Sequence, residues 1–214
     1  MSNFVFYKYT TKMAPSHTRG RILWHNDVDS TNSELRRHIS ELDNLSVIAA
    51  AGQSAGRGQG THSWFSTPGA NLTFSILFNH DGLDASEAIL VTCVTTLGIR
   101  DYLLGRGVQT RIKWPNDIWA GDRKICGILI ENILEGHSIR QSIVGVGLNL
   151  NETDWPAELP NPVSLKELTG RSYVIEAELD ALSDAICRRF GQMATKDGRL
   201  GLQEEFEKYM FRLP

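Results

Sequence analysis

Cysteine is scarce in this chain, and its three copies, Cys93, Cys126 and Cys187, lie far apart in apolar runs. That scatter excludes a disulfide framework and a cysteine-based zinc site, and reads as small core residues in a reduced, cytoplasmic protein. An excess of one charge is also lacking. With 22 basic and 25 acidic residues the formal net charge is −3, which offers no electrostatic case for nucleic acid or an anionic membrane as a main partner. No apolar stretch approaches the roughly 20 residues expected of a membrane helix. Met1 to Lys12 has no apolar core of the kind a signal peptide needs. Internal repeats and low-complexity tracts are absent. What is present is 214 residues, 41% hydrophobic and 22% charged, the ordinary make-up of one soluble domain or one domain with an appendage.

The local patterns read as an α+β chain. Residues 1–21 read as a loose N-terminal extension. A helix is expected from Thr31, which has capping-box spacing to Glu34, with Leu35, Ile39 and Leu42 inward. A longer helix is expected over 85–104, with Ile89, Leu90, Val94, Leu97 and Ile99 inward and Gly105 as its stop. Strands are expected over 47–51, around Leu72 to Phe78, and over 110–113, 118–120, 125–131 and 139–149, with turns at Gly121-Asp122 and Glu135-Gly136-His137. A proline-rich loop over 153–163 leads to a short helix capped by Ser164 and ended by Gly170. A strong helix follows through Ile175, Leu179, Leu182, Ile186, Phe190 and Met193, and residues 196–214 read as a final helix or linker. Hairpins backed by helices imply a mixed or antiparallel sheet flanked by helices.

One segment carries more chemistry than the rest. Gly52 to Trp64 is a glycine-rich loop holding Arg57 between Gly56 and Gly58, with Gln59, His62 and Trp64 after it. A strand enters it and a strand leaves. That context excludes the Rossmann and Walker phosphate loops, which need a helix N-terminus directly after the glycines. An anion here would be held by loop amides and the Arg57 guanidinium. Gly145 and Gly147 alternate along a later strand and leave bare backbone on one face, where a flat ring could lie; Gly127 does the same on its neighbour.

Three further segments stand in order around this loop: Asp29-Ser30-Thr31-Asn32; Lys113-Trp114-Pro115-Asn116-Asp117-Ile118 with Arg123 to Glu131 after it; and Val144-Gly145-Val146-Gly147-Leu148-Asn149. Together with the loop they resemble the catalytic domain of biotin protein ligases, a resemblance that runs from Asp29 to Asn149 and weakens after about Gly170. It implies a fold similar to the class II aminoacyl-tRNA synthetase domain. It also implies a two-step reaction, in which biotin is adenylated by ATP, with Mg²⁺ arriving on the nucleotide, and is then passed to a lysine of a carboxylase's biotin carrier domain. Both steps build negative charge on phosphate oxygens, so fixed cations and amides contribute most.

Residue by residue, the resemblance implies ureido contacts from Ser30, Thr31 and Gln53, a further biotin contact from Asn32, and a slot walled by Trp64, Gly127, Gly145 and Gly147. It implies the Gly56-Arg57-Gly58 loop against the ligand, and Lys124 beside both the biotin carboxylate and the bridging phosphate. ATP would meet Arg57, Gln59, His62, Lys113, Asn116, Asp117 and Asn149. Arg57, Lys113, Lys124 and Asp117 are the expected catalytic set, with Asp117 orienting or deprotonating the incoming lysine. Relatives of this kind carry a second basic residue where Gln59 stands; its amide donates hydrogen bonds but cannot neutralise a phosphate. No dedicated metal cluster is visible. The chain is expected to lack both the helix-turn-helix domain of the repressor-type members and the small C-terminal SH3-like domain, and to act as a monomer or homodimer without nucleic acid or membrane. Two alternatives stay open: a lipoate or octanoate ligase of the same superfamily, and a non-catalytic biotin or adenylate binder.

Overall fold

The computed structural model describes residues 19–212, so most of the expected loose extension, residues 1–18, lies outside the described residues. Arg19, the first described residue, is held on the surface of a later helix through Asp180 at 2.9 Å and Ser183 Oγ at 2.8 Å. In chain order the elements are β1 (Ile22–Val28), α1 (Thr31–Arg37), β2 (Val47–Gln53), β3 (Leu72–Asp84), α2 (Ile89–Gly105), β4 (Arg111–Lys113) and β5 (Asp117–Ala120). They continue with β6 (Arg123–Glu135), β7 (Ser138–Leu148), α3 (Leu165–Thr169), α4 (Ile175–Gly191), α5 (Lys196–Tyr209) and β8 (Met210–Phe211).

Among the described residues the eight strands form one sheet in the order β1-β2-β3-β7-β6-β5-β4-β8. The pairs at its two edges, β1/β2 and β4/β8, are parallel and the rest antiparallel, so the sheet is mixed, as expected. Alternation along its strands sorts residues to two faces. Phe74, Ile76 and Phe78 of β3 and Val144, Val146 and Leu148 of β7 enter the main core beneath α2, α4 and α5. Leu77 and Ile143 face the other way and pack on Leu35 of α1. Gly98 of α2 lets α2 and α4 touch: a methyl group there would sit 2.7 Å from Ile186 Cα.

The structure amends several expectations. β1 and β8 were not anticipated; β8 returns from α5 to pair with β4 and forms one edge of the sheet. The Thr31–Glu34 capping box does not form. Ser30 is the N-cap residue and its side chain makes no cap hydrogen bond, while Glu34 turns to Arg37 and His38. The stop of α2 is Gly107, not Gly105. Gly107 takes φ +81, and the N–H of Val108 and of Gly107 return to Leu103 and Leu104 carbonyls, the double closure that favours glycine at this place. The Ala85–Gly105 stretch is long and apolar enough by length and composition to cross a bilayer, contrary to the reading above; here it is the central core helix. Ser164 does cap α3, with Glu167 completing a capping box, and Gly170 ends it in the left-handed region. The three cysteines are buried, and burial pushes the Cys93 and Cys187 thiols up to about 12.

Candidate active site

On the face of the sheet opposite the main core, two adjacent cross-strand rows have glycine at their centres. One row runs Thr73–Gly147–Gly127–Asp117 across β3, β7, β6 and β5, and the other runs Ser75–Gly145–Leu129. Directly opposed residues share a face, so three glycines in two adjacent rows open a trough. α1 stands at one end of it and the β4–β5 turn at the other. The Gly52–Trp64 loop lies over it. Together they enclose a cavity of about 280 Å³, large enough for part of a small ligand but short of a typical drug-sized pocket.

Nearly every expected site residue meets there. Ser30, Thr31, Asn32 and Gln53 line one end, Lys113, Asn116, Asp117 and Lys124 the other, and Arg57, Gly58, Gln59, His62 and Trp64 the roof, over Gly127, Gly145 and Gly147. Two expected residues are placed elsewhere. Asn149 is buried behind the site, where its amide donates to the Lys124 carbonyl at 3.3 Å and the Val163 carbonyl at 3.1 Å. Gly56 is packed against the Trp64 carbonyl within the loop itself.

The loop is a small hairpin. Arg57 and Ser63 form an antiparallel bridge, Gly58 N–H donates to His62 O at 2.7 Å, and Trp64 N–H to Gly56 O at 3.0 Å. Gly60 turns the tip at φ +65, a conformation that costs a side-chain-bearing residue about 1 kcal/mol. The hairpin delivers the Trp64 indole flat onto the floor. A Cβ on Gly147 or Gly127 would overlap its ring. The flat ring that these two glycines admit is therefore the protein's own, which corrects the reading of them as bare floor for a ligand. Gly145 makes the same kind of room for the Asn32 amide. Trp64 Nε1 is buried without a hydrogen-bond partner among the described residues.

The polar ends differ in character. At the α1 end, Gln53 Oε1 accepts from the Thr31 N–H at 2.8 Å. The fully buried Ser75, missed in the sequence, lies 2.8 Å from Thr31 Oγ1 and 2.6 Å from Asn32 Oδ1. Ser30, whose side chain makes no cap hydrogen bond, lines the cavity beside them. At the other end Lys124 Nζ pairs with Asp117 at 2.7 Å and sits 5.7 Å from the Trp64 ring. The Lys124 N–H donates to the Asn161 carbonyl and the Val163 N–H to the Lys124 carbonyl, which pins this strand end to the proline-rich loop. Asn116 donates to the Ile128 carbonyl, and Lys113 Nζ lies 5.2 Å from the Trp119 ring. Arg57 reaches across the trough to Glu131.

A glycine-floored trough on a mixed sheet, roofed by a hairpin bearing a guanidinium and closed by a lysine–aspartate pair, suits a ligand with an anionic group, and residues 24–149 match the Biotin/lipoate A/B protein ligase family; the chain belongs to that family. Its relatives are more particular. It is 32% identical over 174 residues to the biotin--[acetyl-CoA-carboxylase] ligase of Paracoccus denitrificans, covering 78% of this chain and 72% of that one. It is 36% identical over 124 residues to the bifunctional ligase/repressor BirA of Escherichia coli, covering 58% of this chain but 38% of that protein's length. Among solved structures, the biotin protein ligase from Aquifex aeolicus in complex with biotin and ATP superposes with a TM-score of 0.75 at 25% identity, over 89% of this chain and 78% of that one.

Proposed function

We propose that this chain is a biotin protein ligase that adenylates biotin with ATP and transfers it to a lysine of a biotin carrier domain of a carboxylase. The observation that carries this reading is the polarity of the trough. Neutral hydrogen-bonding groups (Ser30, Thr31, Gln53) stand at one end and the cations Lys113 and Lys124 at the other, with Arg57 above and an indole wall between. A ligand with a neutral polar ring, an apolar stem and a terminal carboxylate matches that order, and the carboxylate lands where the cations are. Two anions must be brought together for adenylation. Lys124 is the cation suited to lie between them, with Asp117 fixing its direction, and Arg57 is suited to the phosphate.

Mg²⁺ enters with the ATP phosphates; among the described residues no group of three or more His, Cys, Asp or Glu gathers to hold an ion. Asn149 supports Lys124 from behind in this reading. Gln59 leaves the phosphate end with one cation fewer than the resemblance implies. The cell compartment that fits is the cytoplasm, where ATP and carboxylases are found together. The test is biotin-dependent exchange of labelled pyrophosphate into ATP, with lipoate as the control acid. Exchange with biotin alone is expected; exchange with lipoate alone, or none while biotin still binds, would sink the assignment.

A further inference from the structure

Glu131 sits on β6, four residues before its end and outside the residues expected at the site, and the side chains of Arg57, Asn32 and Arg36 converge on it. Arg57 donates from both terminal nitrogens, Nη1 to Oε1 at 3.2 Å and Nη2 to Oε2 at 3.0 Å. Asn32 Nδ2 donates to the same Oε2 at 2.8 Å. Arg36 adds a looser ion pair at 3.7 Å. This two-pronged contact is the geometry in which a guanidinium takes a carboxylate or a phosphate. The cation assigned above to the ligand's phosphate is thus already holding an anion supplied by the protein.

We propose that Glu131 is a positioning residue that serves as a resident stand-in for the ligand's phosphate, holding Arg57 at the α1 end of the trough and giving it up when phosphate arrives. The proposal rests on the adenylating reading of the site. The pair has the exposure an exchangeable contact needs, with side chains 42% and 24% accessible. A dry pair would be too costly to break, and a fully exposed one would not hold its geometry. Glu131 does not follow Arg57 away, because Asn32 holds it and is itself fixed on its other side by Ser75 at 2.6 Å. The carboxylate left behind then opposes the incoming anion. Glu131 therefore weakens anion binding while it orders the residue that performs it, which separates it from a purely structural carboxylate.

Calorimetric titration of the full chain with inorganic pyrophosphate at low ionic strength tests this, using wild type, Glu131→Gln, Arg57→Gln and the double variant. Gln keeps the size of the side chain and an oxygen for Asn32 but removes the charge. Glu131→Gln is expected to tighten pyrophosphate binding about three- to fivefold, the scale of one partly exposed ion pair. In the Arg57→Gln background the gain is expected to vanish. If Glu131→Gln fails to fold, Glu131→Asp serves instead; it is one methylene too short for both contacts and is expected to tighten binding about twofold. Unchanged or weaker binding, or an equal gain without Arg57, overturns the proposal. Because pyrophosphate binding needs no turnover, a chain that fails to activate biotin would refute the earlier reading without deciding this one.

Discussion

Trp64 and the glycines under it form one fitted unit, and single atoms decide whether the unit closes. A methyl group on Gly147 would overlap the indole. Gly147→Ala is therefore expected to lift Trp64 from the floor, raise the KM for biotin at least about tenfold and cost about 1–3 kcal/mol of stability by overpacking; exchange kinetics and denaturant unfolding read the two effects. Asp117 is a second residue whose environment alters an expectation. As a base for the incoming lysine alone, its loss would slow transfer more than adenylation. Since its carboxylate holds Lys124 at 2.7 Å, Asp117→Asn is expected to slow adenylation at least as much as transfer, as single-turnover measurements of each step would show. Much of this site was legible beforehand because its residues cluster in short motifs. Ser75 and Glu131 were not, because each acquires its role from register: Ser75 lies opposite Gly145, and Gly145 opposite Leu129, two positions before Glu131 on β6. No local pattern in the sequence reports such a partner. One titrating residue lies outside the site. Burial holds the His80 imidazole down at about 4, against about 6.5 in an unfolded chain. Between those values the unfolded state binds the extra proton, so stability is full above 6.5 and is lost as pH falls toward 4. Urea unfolding at pH 7 and pH 5 is expected to differ by on the order of 1 kcal/mol from this group, and less in His80→Gln.

Among the elements, α3 shows how a remote cap reaches the site. Ser164 and Glu167 close a reciprocal box at its start. The residue before that box, Val163, donates its N–H to the Lys124 carbonyl, and its own carbonyl accepts from Asn149. Ser164→Ala is expected to cost about 1 kcal/mol, measured by thermal or urea unfolding. Asn149→Ala is expected to lower kcat for adenylation while leaving the KM for biotin near its wild-type value, since it loosens the strand end that carries Lys124 and touches none of the α1 end. Helices with a clear apolar stripe and strands with clear alternation were readable from sequence, as were the turns at Gly121 and Gly136. The edge strands were not. β1 is half-exposed along Trp24-His25-Asn26-Asp27, without the two-residue period of a buried strand, and β8 has only two residues whose pairing depends on where α5 leaves the chain. The capping box expected at Thr31 failed because the N-cap is one residue earlier: Ser30 takes that place, and Thr31, the first helical residue, has its Oγ1 engaged by Ser75 of β3.

For the molecule as a whole, the site is carried on one face of the sheet and the stability on the other. Gly98 is where the second half of that division is tightest, with α4 backbone 2.7 Å from the position of its absent methyl. Gly98→Ala is expected to push α2 and α4 apart and lower the melting temperature by about 5 °C, for a loss of about 2 kcal/mol, with the KM for biotin unchanged; a scanning calorimetry trace beside exchange kinetics separates the two. The roof hairpin has a different consequence. Because its strands are stitched to each other by Gly58–His62 and Trp64–Gly56 hydrogen bonds, it is one hydrogen-bonded unit and not a string of independent residues. Swinging out, it would carry the Trp64 wall and the Arg57 cation away in a single motion, so a trapped intermediate would be shut in or let go all at once, never half-released.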